Sequence, residues 1–300
     1  MNLHQDIIDC TPTENRRKFF NQYERAEESK RIAYHYDEAC EFINTVTGGD
    51  WNIYSACFFN DTDTLTQAQE RKLDKFAQMM HLKPGMRVLD IGCGLGGALT
   101  YLCHKYGVTG VGISVTPSQP VYANARAQRI GVDARFEVSH WDDFSDGQFD
   151  ALYSDEMIVH VFDLDEFHKK CFSLLKPNGV ALHKELHFTK DEYVGARDNL
   201  SSFLNGYFGY TGNYRLLEEE MLSAIQCGFL VEDIYVSPID NYIKIVNEHW
   251  LASLSTNKEK LIELAGERYY KEFIKYLRCY LVLFKKGVFR PLLSHSLRQK

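Results

Sequence analysis

The chain has 300 residues, 45 % of them hydrophobic, and a formal net charge of −7. That length and apolar content suffice for one large α/β core, and the acidic balance argues against a general nucleic-acid binder. Eight cysteines without a Cys-x-x-Cys pair, together with no signal peptide and no long apolar run, predict a reduced cytoplasmic protein.

The first residues are polar and charged and predict a helical or poorly ordered arm. From Ala33 to Phe59 the texture turns aromatic, with His35-Tyr36-Asp37 and then Trp51 to Phe59; Thr64 to Leu82 has helical spacing and stops at Lys83-Pro84-Gly85. Residues 1–82 are therefore expected to form an N-terminal helical cap outside the sheet.

From Met86 to Gly97 an apolar run, Val88, Leu89 and Ile91, ends in glycines, and Ala98 to Tyr106 follows as a helix. Gly92, Gly94 and Gly97 permit a sharp turn and close approach of the backbone to a ligand, toward which the helix amides point. Asp90, just before the first glycine, can reach the amino-acid end of S-adenosylmethionine (SAM), whereas it would repel a dinucleotide pyrophosphate. The second strand, Val108 to Ser114, also ends without the acidic residue that an NAD ribose uses. These two features favour SAM over NAD.

Further elements alternate: helix Ser118 to Arg129, strand Ala134 to Ser139, strand Phe149 to Glu156, helix Leu164 to Leu175, turn Lys176 to Gly179 and strand Val180 to Phe188. The expected class is α/β, a Rossmann-like, doubly wound, mostly parallel sheet of seven strands, with residues 83–190 as its SAM-binding core. Ligands bind such sheets at the carboxyl ends of the strands, which nominates Asp90, Ser114, residues 139–142, 155–160 and 183–187. The aromatic stretch Tyr193 to Tyr214 predicts an inserted lid, completed by Asn241 to Lys286. Leu217 to Gln226 reads as a helix, Gly228 to Val236 as a strand and Ile243 to Tyr280 as mostly helix. Residues 191–300 thus add lid helices and closing strands to a single compact domain. Basic residues crowd the end of the chain, Arg268, Lys271, Lys275, Arg278, Lys285, Lys286, Arg290, Arg298 and Lys300 against Glu272. Two readings of that tail stay open, weak contact with an anionic membrane or a terminal helix packed on the domain. A homo-oligomer is equally open.

With these residues in hand, the chain from Ala33 to about Phe289 resembles the cyclopropane fatty acid synthase group of SAM-dependent methyltransferases. His35-Tyr36-Asp37 resembles its cap motif, Tyr54-Ser55 its cofactor-touching pair, Leu82 to Gly85 and Asp90 to Gly97 its glycine turn. Ser114, Val115 and Gln119 resemble its ribose-side residues, His140-Trp141-Asp142 its adenine-side run, and Tyr276-Leu277, Phe284 and Gly287 its C-terminal helix. The resemblance implies cofactor contacts at Tyr54, Ser55, Asp90, Gly92, Gly94, Ser114, Val115, Gln119, His140, Trp141 and Asp142. It also implies a bicarbonate held by a Cys, a Glu and a His where cyclopropanes are made. Here Ala56 stands at the Cys, with Cys57 one position late, Val159 at the Glu, and Lys184 at the His, with His183 one position early and on the opposite strand face. Bicarbonate is therefore a doubtful cofactor, and methyl transfer without ring closure is expected.

A methylated alkene must still lose a proton. Glu156, His160 and Glu185 are the candidate bases, with Tyr242, at the family's bicarbonate-contacting position, completing the catalytic set; His187 is a further base. The alternation His183-x-Glu185-x-His187 lacks a fourth ligand, so no metal is expected. The favoured acceptor is a lipid-like or isoprenoid-like alkene. N-methylation of a small amine, cyclopropane synthesis proper, and a SAM-binding protein without catalysis remain as alternatives.

Overall fold

The computed structural model describes residues 25–190, 212–289 and 293–299. Of the expected lid segment Tyr193 to Tyr214 only residues 212–214 fall among these, and the arm before residue 25 lies outside them. The cap is built from α1 (Arg25–Glu38), α2 (Cys40–Thr47) and α3 (Leu65–Met79). Thr64 starts α3 where the sequence places it: its hydroxyl accepts from Gln67 N–H while the Gln67 side chain accepts from Thr64 N–H, a reciprocal cap.

The core runs β1 (Arg87–Ile91), α4 (Gly97–Tyr106), β2 (Thr109–Ser114), α5 (Ser118–Ile130), β3 (Ala134–Val138), β4 (Phe149–Asp155), a short helical turn Ile158–His160, α6 (Leu164–Leu174) and β5 (Leu175–Glu185). A break at Leu186 precedes the two-residue β6 (His187–Phe188), which pairs with β7 (Arg215–Leu216) apart from the main sheet. Then come α7 (Leu217–Gln226), β8 (Phe229–Val236), α8 (Ile239–Lys244), a π-helical turn Ile245–Trp250, α9 (Leu251–Thr256), α10 (Lys258–Lys285) and β9 (Leu293–Gln299).

Among the described residues the main sheet has seven strands in the order β3-β2-β1-β4-β5-β9-β8. The first five are parallel, and β9 runs antiparallel to both β5 and β8. Strand order reverses between β1 and β4, which opens a crevice at their carboxyl ends. Period-two alternation sorts the core. Val88, Ala151, Tyr153 and Leu182 pack with α3 and α4 on one face, while Leu89, Leu152 and Ala181 pack with α6 and α7 on the other. A third cluster joins the cap helices α1 and α2 to α8, α9 and α10.

Three expectations need correction. The basic tail is a helix packed on the domain only in its first part: α10 buries Phe273, Leu277 and Phe284 as that reading expects, but residues 293–299 form β9, inserted between β5 and β8, and Arg298 there is tied to Glu232. Its buried Ser294, His295 and Ser296 hid the strand, because they break the apolar alternation by which buried strands are recognised. The turn at Lys176 to Gly179 is a bulge within β5, where the register against β4 shifts and Asn178 takes φ 65°. The expected strand Val180 to Phe188 is two strands, broken at Leu186.

Candidate active site

The turn after β1 places Gly92, Gly94 and Gly96 at φ 88°, 50° and 73°. A Cβ on Gly94 would meet no atom within 4 Å and would stand in open cavity; one on Gly97 would lie 1.7 Å from the Trp51 carbonyl oxygen. Gly94 therefore leaves room for a ligand, while Gly97 lets the cap loop close against α4. Gly96, not singled out from the sequence, begins α4 in a left-handed conformation and offers no side-chain cap, so the first amides of the helix stay available to a ligand.

Gly92, Gly94 and Gly97 line a cavity of about 330 Å³. All eleven positions named as cofactor contacts line it: Tyr54 and Ser55 from the cap, Asp90, Gly92 and Gly94 from the turn, Ser114, Val115 and Gln119 after β2, and His140, Trp141 and Asp142 after β3. Asp90 is buried, accepts from the Tyr153 hydroxyl at 2.7 Å, and is raised by burial to about 7. Ser114 Oγ donates to Gln119 Oε1 at 2.6 Å and accepts from Thr116 N–H, which fixes this edge of the cavity. A chamber with a cation-seeking carboxylate at one end, a glycine floor and an indole at the other suits an amino acid joined to a nucleoside.

The four candidate catalytic residues divide. Glu156 and His160 line the cavity. His160 Nε2 lies 3.4 Å from the Tyr36 hydroxyl, and burial lowers its pKa to about 4, so the imidazole is neutral near pH 7. Tyr242 is buried behind the lining, stacked on Phe284 at 4.2 Å between ring centroids. Glu185 lies outside the lining and accepts from Ile158 N–H at 2.6 Å. It shares a β5 face with His183, which bonds Ser154 at 2.8 Å, and that is the α6 and α7 side. His187 and His295 both lie 2.9 Å from oxygens of buried Glu220, and among the described residues no group of three or more such side chains is arranged to hold a metal ion.

Alternation on β5 brings Lys184 instead to the cavity side. Its ammonium, wholly buried, reaches Asp155 Oδ1 at 2.8 Å and Glu156 Oε1 at 2.5 Å. Lys72, equally buried on α3, reaches Asp155 Oδ2 and Ser55 Oγ, both at 2.6 Å. Ala56 N–H donates to Glu156 Oε1 at 2.9 Å. Burial alone would raise Asp155, but the two ammoniums hold it at about 2. The sequence named Asp155 only as part of a strand-end range, named Lys184 only as part of another and as the residue standing where the family has a His, and passed over Lys72. The signal was there: Lys72 interrupts the buried stripe Ala68, Leu73, Phe76 of α3, and a charge inside an apolar stripe needs a buried partner.

The mycolic acid cyclopropane synthetase family model matches residues 23–291. The chain belongs to this family. It is 28 % identical over 280 residues to the SAM-dependent methyltransferase UmaA of Mycobacterium tuberculosis, covering 87 % of this chain and 94 % of UmaA. Cyclopropane-fatty-acyl-phospholipid synthase of Escherichia coli K12 is 34 % identical over 156 residues, 51 % of this chain and 39 % of that enzyme. The structure of the cyclopropane synthase MmaA2 from Mycobacterium tuberculosis superposes with a TM-score of 0.82 at 21 % identity, over 97 % of this chain and 100 % of MmaA2. This family member is accordingly an enzyme, a SAM-dependent methyltransferase with the Rossmann-like fold.

Proposed function

We propose that this methyltransferase adds a methyl group to an alkene carbon of a lipid-like or isoprenoid-like acceptor. The observation that carries the reading is the wall beside Glu156. Tyr36 and Tyr54 line the cavity, and Tyr214, Tyr242 and Tyr276 crowd behind them, near enough to Glu156 for its charge to add to the upward pull of burial on their phenols. No Lys or Arg lines the cavity among the described residues, which disfavours an acceptor whose phosphate enters it. An apolar chain can enter past Ile32 and Ile43 of the cap. Acceptors of this kind are named for the family and for the Escherichia coli relative.

When bound, SAM supplies the electrophilic methyl group. Asp90, Ser55 and the Gly92 to Gly96 turn would hold its amino-acid end, Ser114 with Gln119 its ribose, and Trp141 its base. The chain's part in the transfer is orientation, of order 7–11 kcal/mol for a well-aligned pair of reactants. Aromatic faces add about 0.5–2 kcal/mol each toward a cationic centre. Neutral His160, with Tyr36, orients the acceptor beside Glu156, and the buried aromatic wall keeps water from a cation it would otherwise quench.

The enzyme works in the cytoplasm on this reading, and the exposed basic row Lys271, Lys275, Arg278 and Lys285 of α10 gives it weak contact with anionic membrane. Among the described residues no helix is long and apolar enough to cross a membrane. Co-sedimentation with anionic vesicles at low salt, lost at about 0.5 M salt as charges are screened, is expected; no pelleting at low salt would refute the contact. For the function itself, cells expressing the protein are fed methyl-labelled methionine and their lipid and small-molecule extracts analysed by mass spectrometry and NMR. One labelled CH₂ unit on an unsaturated acceptor, without high-field ring protons, is the expected product. Label on an amine nitrogen refutes the reading.

A further inference from the structure

Glu156 is the first residue after β4 and takes φ 56°, a left-handed conformation that costs a non-glycine residue about 1 kcal/mol or more. The turn is pinned at both ends to one residue of β5. Glu156 N–H donates to the Lys184 carbonyl at 2.7 Å, and the Lys184 ammonium returns to Glu156 Oε1. Ala56 N–H lands on that same oxygen. Both donors thus load Oε1 and leave Oε2 without a hydrogen-bond partner among the described residues, on a side chain that lines the cavity and is 17 % exposed. An ion pair serving only to hold strands together would gain by engaging both oxygens.

Around this carboxylate the charges close. Lys72 and Lys184 face Asp155 and Glu156, two ammoniums against two carboxyl groups, so the cluster balances within itself. From these contacts we propose that Glu156 is the internal general base of the reaction and Lys184 its positioning residue, so that proton removal needs no anion from solution. The inference rests on the carbon-methylation reading above. After the acceptor gains its methyl, a C–H bond on the carbon next to the cationic centre breaks. Its electron pair forms the new C=C, and the proton passes to Glu156 Oε2, to be lost to solvent through the open cavity. A proton beside a carbocation is so acidic that its base need be only ionised and in place, not strong. Lys184 supplies both conditions.

The test uses the full chain, methyl-labelled SAM and, as acceptor pool, the total lipid extract of the expressing cells. Glu156→Gln is expected to lower kcat at least 100-fold, with SAM affinity by calorimetry changed less than threefold. Glu156→Ala should regain at least tenfold of its lost rate with added formate. Lys184→Met should lower kcat more than tenfold with little change in KM and move the acid limb of the kcat profile to higher pH, because removal of the ammonium makes Glu156 easier to protonate. Lys184→Arg should restore most of the rate, and serves as the folded control should Lys184→Met unfold. Wild-type turnover should not change when dissolved bicarbonate is stripped. Loss of wild-type activity on stripping, or a C-methylated product made by Glu156→Gln at the wild-type rate, overturns the inference while leaving the carbon-methylation reading standing. Label on nitrogen overturns both.

Discussion

Asp155→Asn isolates what the buried charge cluster contributes to the fold. Among the described residues Asp155 is the one carboxylate within ion-pair distance of Lys72, at 2.6 Å, and it shares Lys184 with Glu156. An amide of the same shape leaves Ser55 Oγ as the remaining hydroxyl beside Lys72 and turns a neutral cluster into one of net charge +1 with no exposed surface on either lysine. Removing one partner of a buried ion pair costs about 3–5 kcal/mol, a large share of the 5–15 kcal/mol of a typical domain. Glu156 still screens Lys184, so the loss should be about 3 to 4 kcal/mol and lower Tm by roughly 5–6 °C. Guanidinium unfolding of the full chain without cofactor measures it, with m unchanged. Adding Lys72→Met should restore neutrality and recover at least half of the loss. A single-variant cost below about 1 kcal/mol, or a double variant less stable than the single, would refute the cluster as an electrostatic unit. The sign with pH follows from the depressed Asp155: its contribution is complete above the unfolded carboxylate value and is lost as pH falls through about 2. Acid unfolding should therefore set in between about pH 4 and 2, and earlier in Asp155→Asn.

Asp90, raised by burial to about 7, must be ionised to hold the SAM ammonium, so binding should release a proton and affinity should fall toward tenfold per pH unit below about 7. Calorimetry in buffers of different ionisation enthalpy reads the proton directly, and a flat affinity from pH 5.5 to 7.5 would be contrary. Gly94→Val puts a branched side chain at φ 50° into the cavity and should abolish SAM binding. Gly131→Ala, at φ 79° with equally open space beyond the end of α5, should cost only about 1 kcal/mol of stability and leave affinity intact. His160→Ala should bind SAM nearly normally and turn over at least tenfold more slowly, and because His160 is already neutral above about pH 4, wild-type kcat should show no inflection from it near pH 6.5. Unchanged turnover would remove His160 from the mechanism.

Much of the cofactor half was legible in the sequence because its signals are local. A glycine turn, an acid one residue before it and a cap motif each declare themselves within a few residues, and all eleven nominated positions line one cavity. The acceptor half was less legible. Glu185 was nominated by proximity along the chain, yet one residue along β5 exchanges faces, and it is Lys184 that reaches the cavity side.

Local pattern by itself determined the alternation of strands and helices, the glycine turn and the chemical class of cofactor, since each follows from periodicity, backbone conformation and charge within a short window. Only the tertiary structure decided that Lys72, Asp155, Glu156 and Lys184 meet, and that the serine-rich end of the chain fills the gap between β5 and β8. A buried charge is intelligible only beside its partner, and partners more than eighty residues apart are brought together by the fold alone.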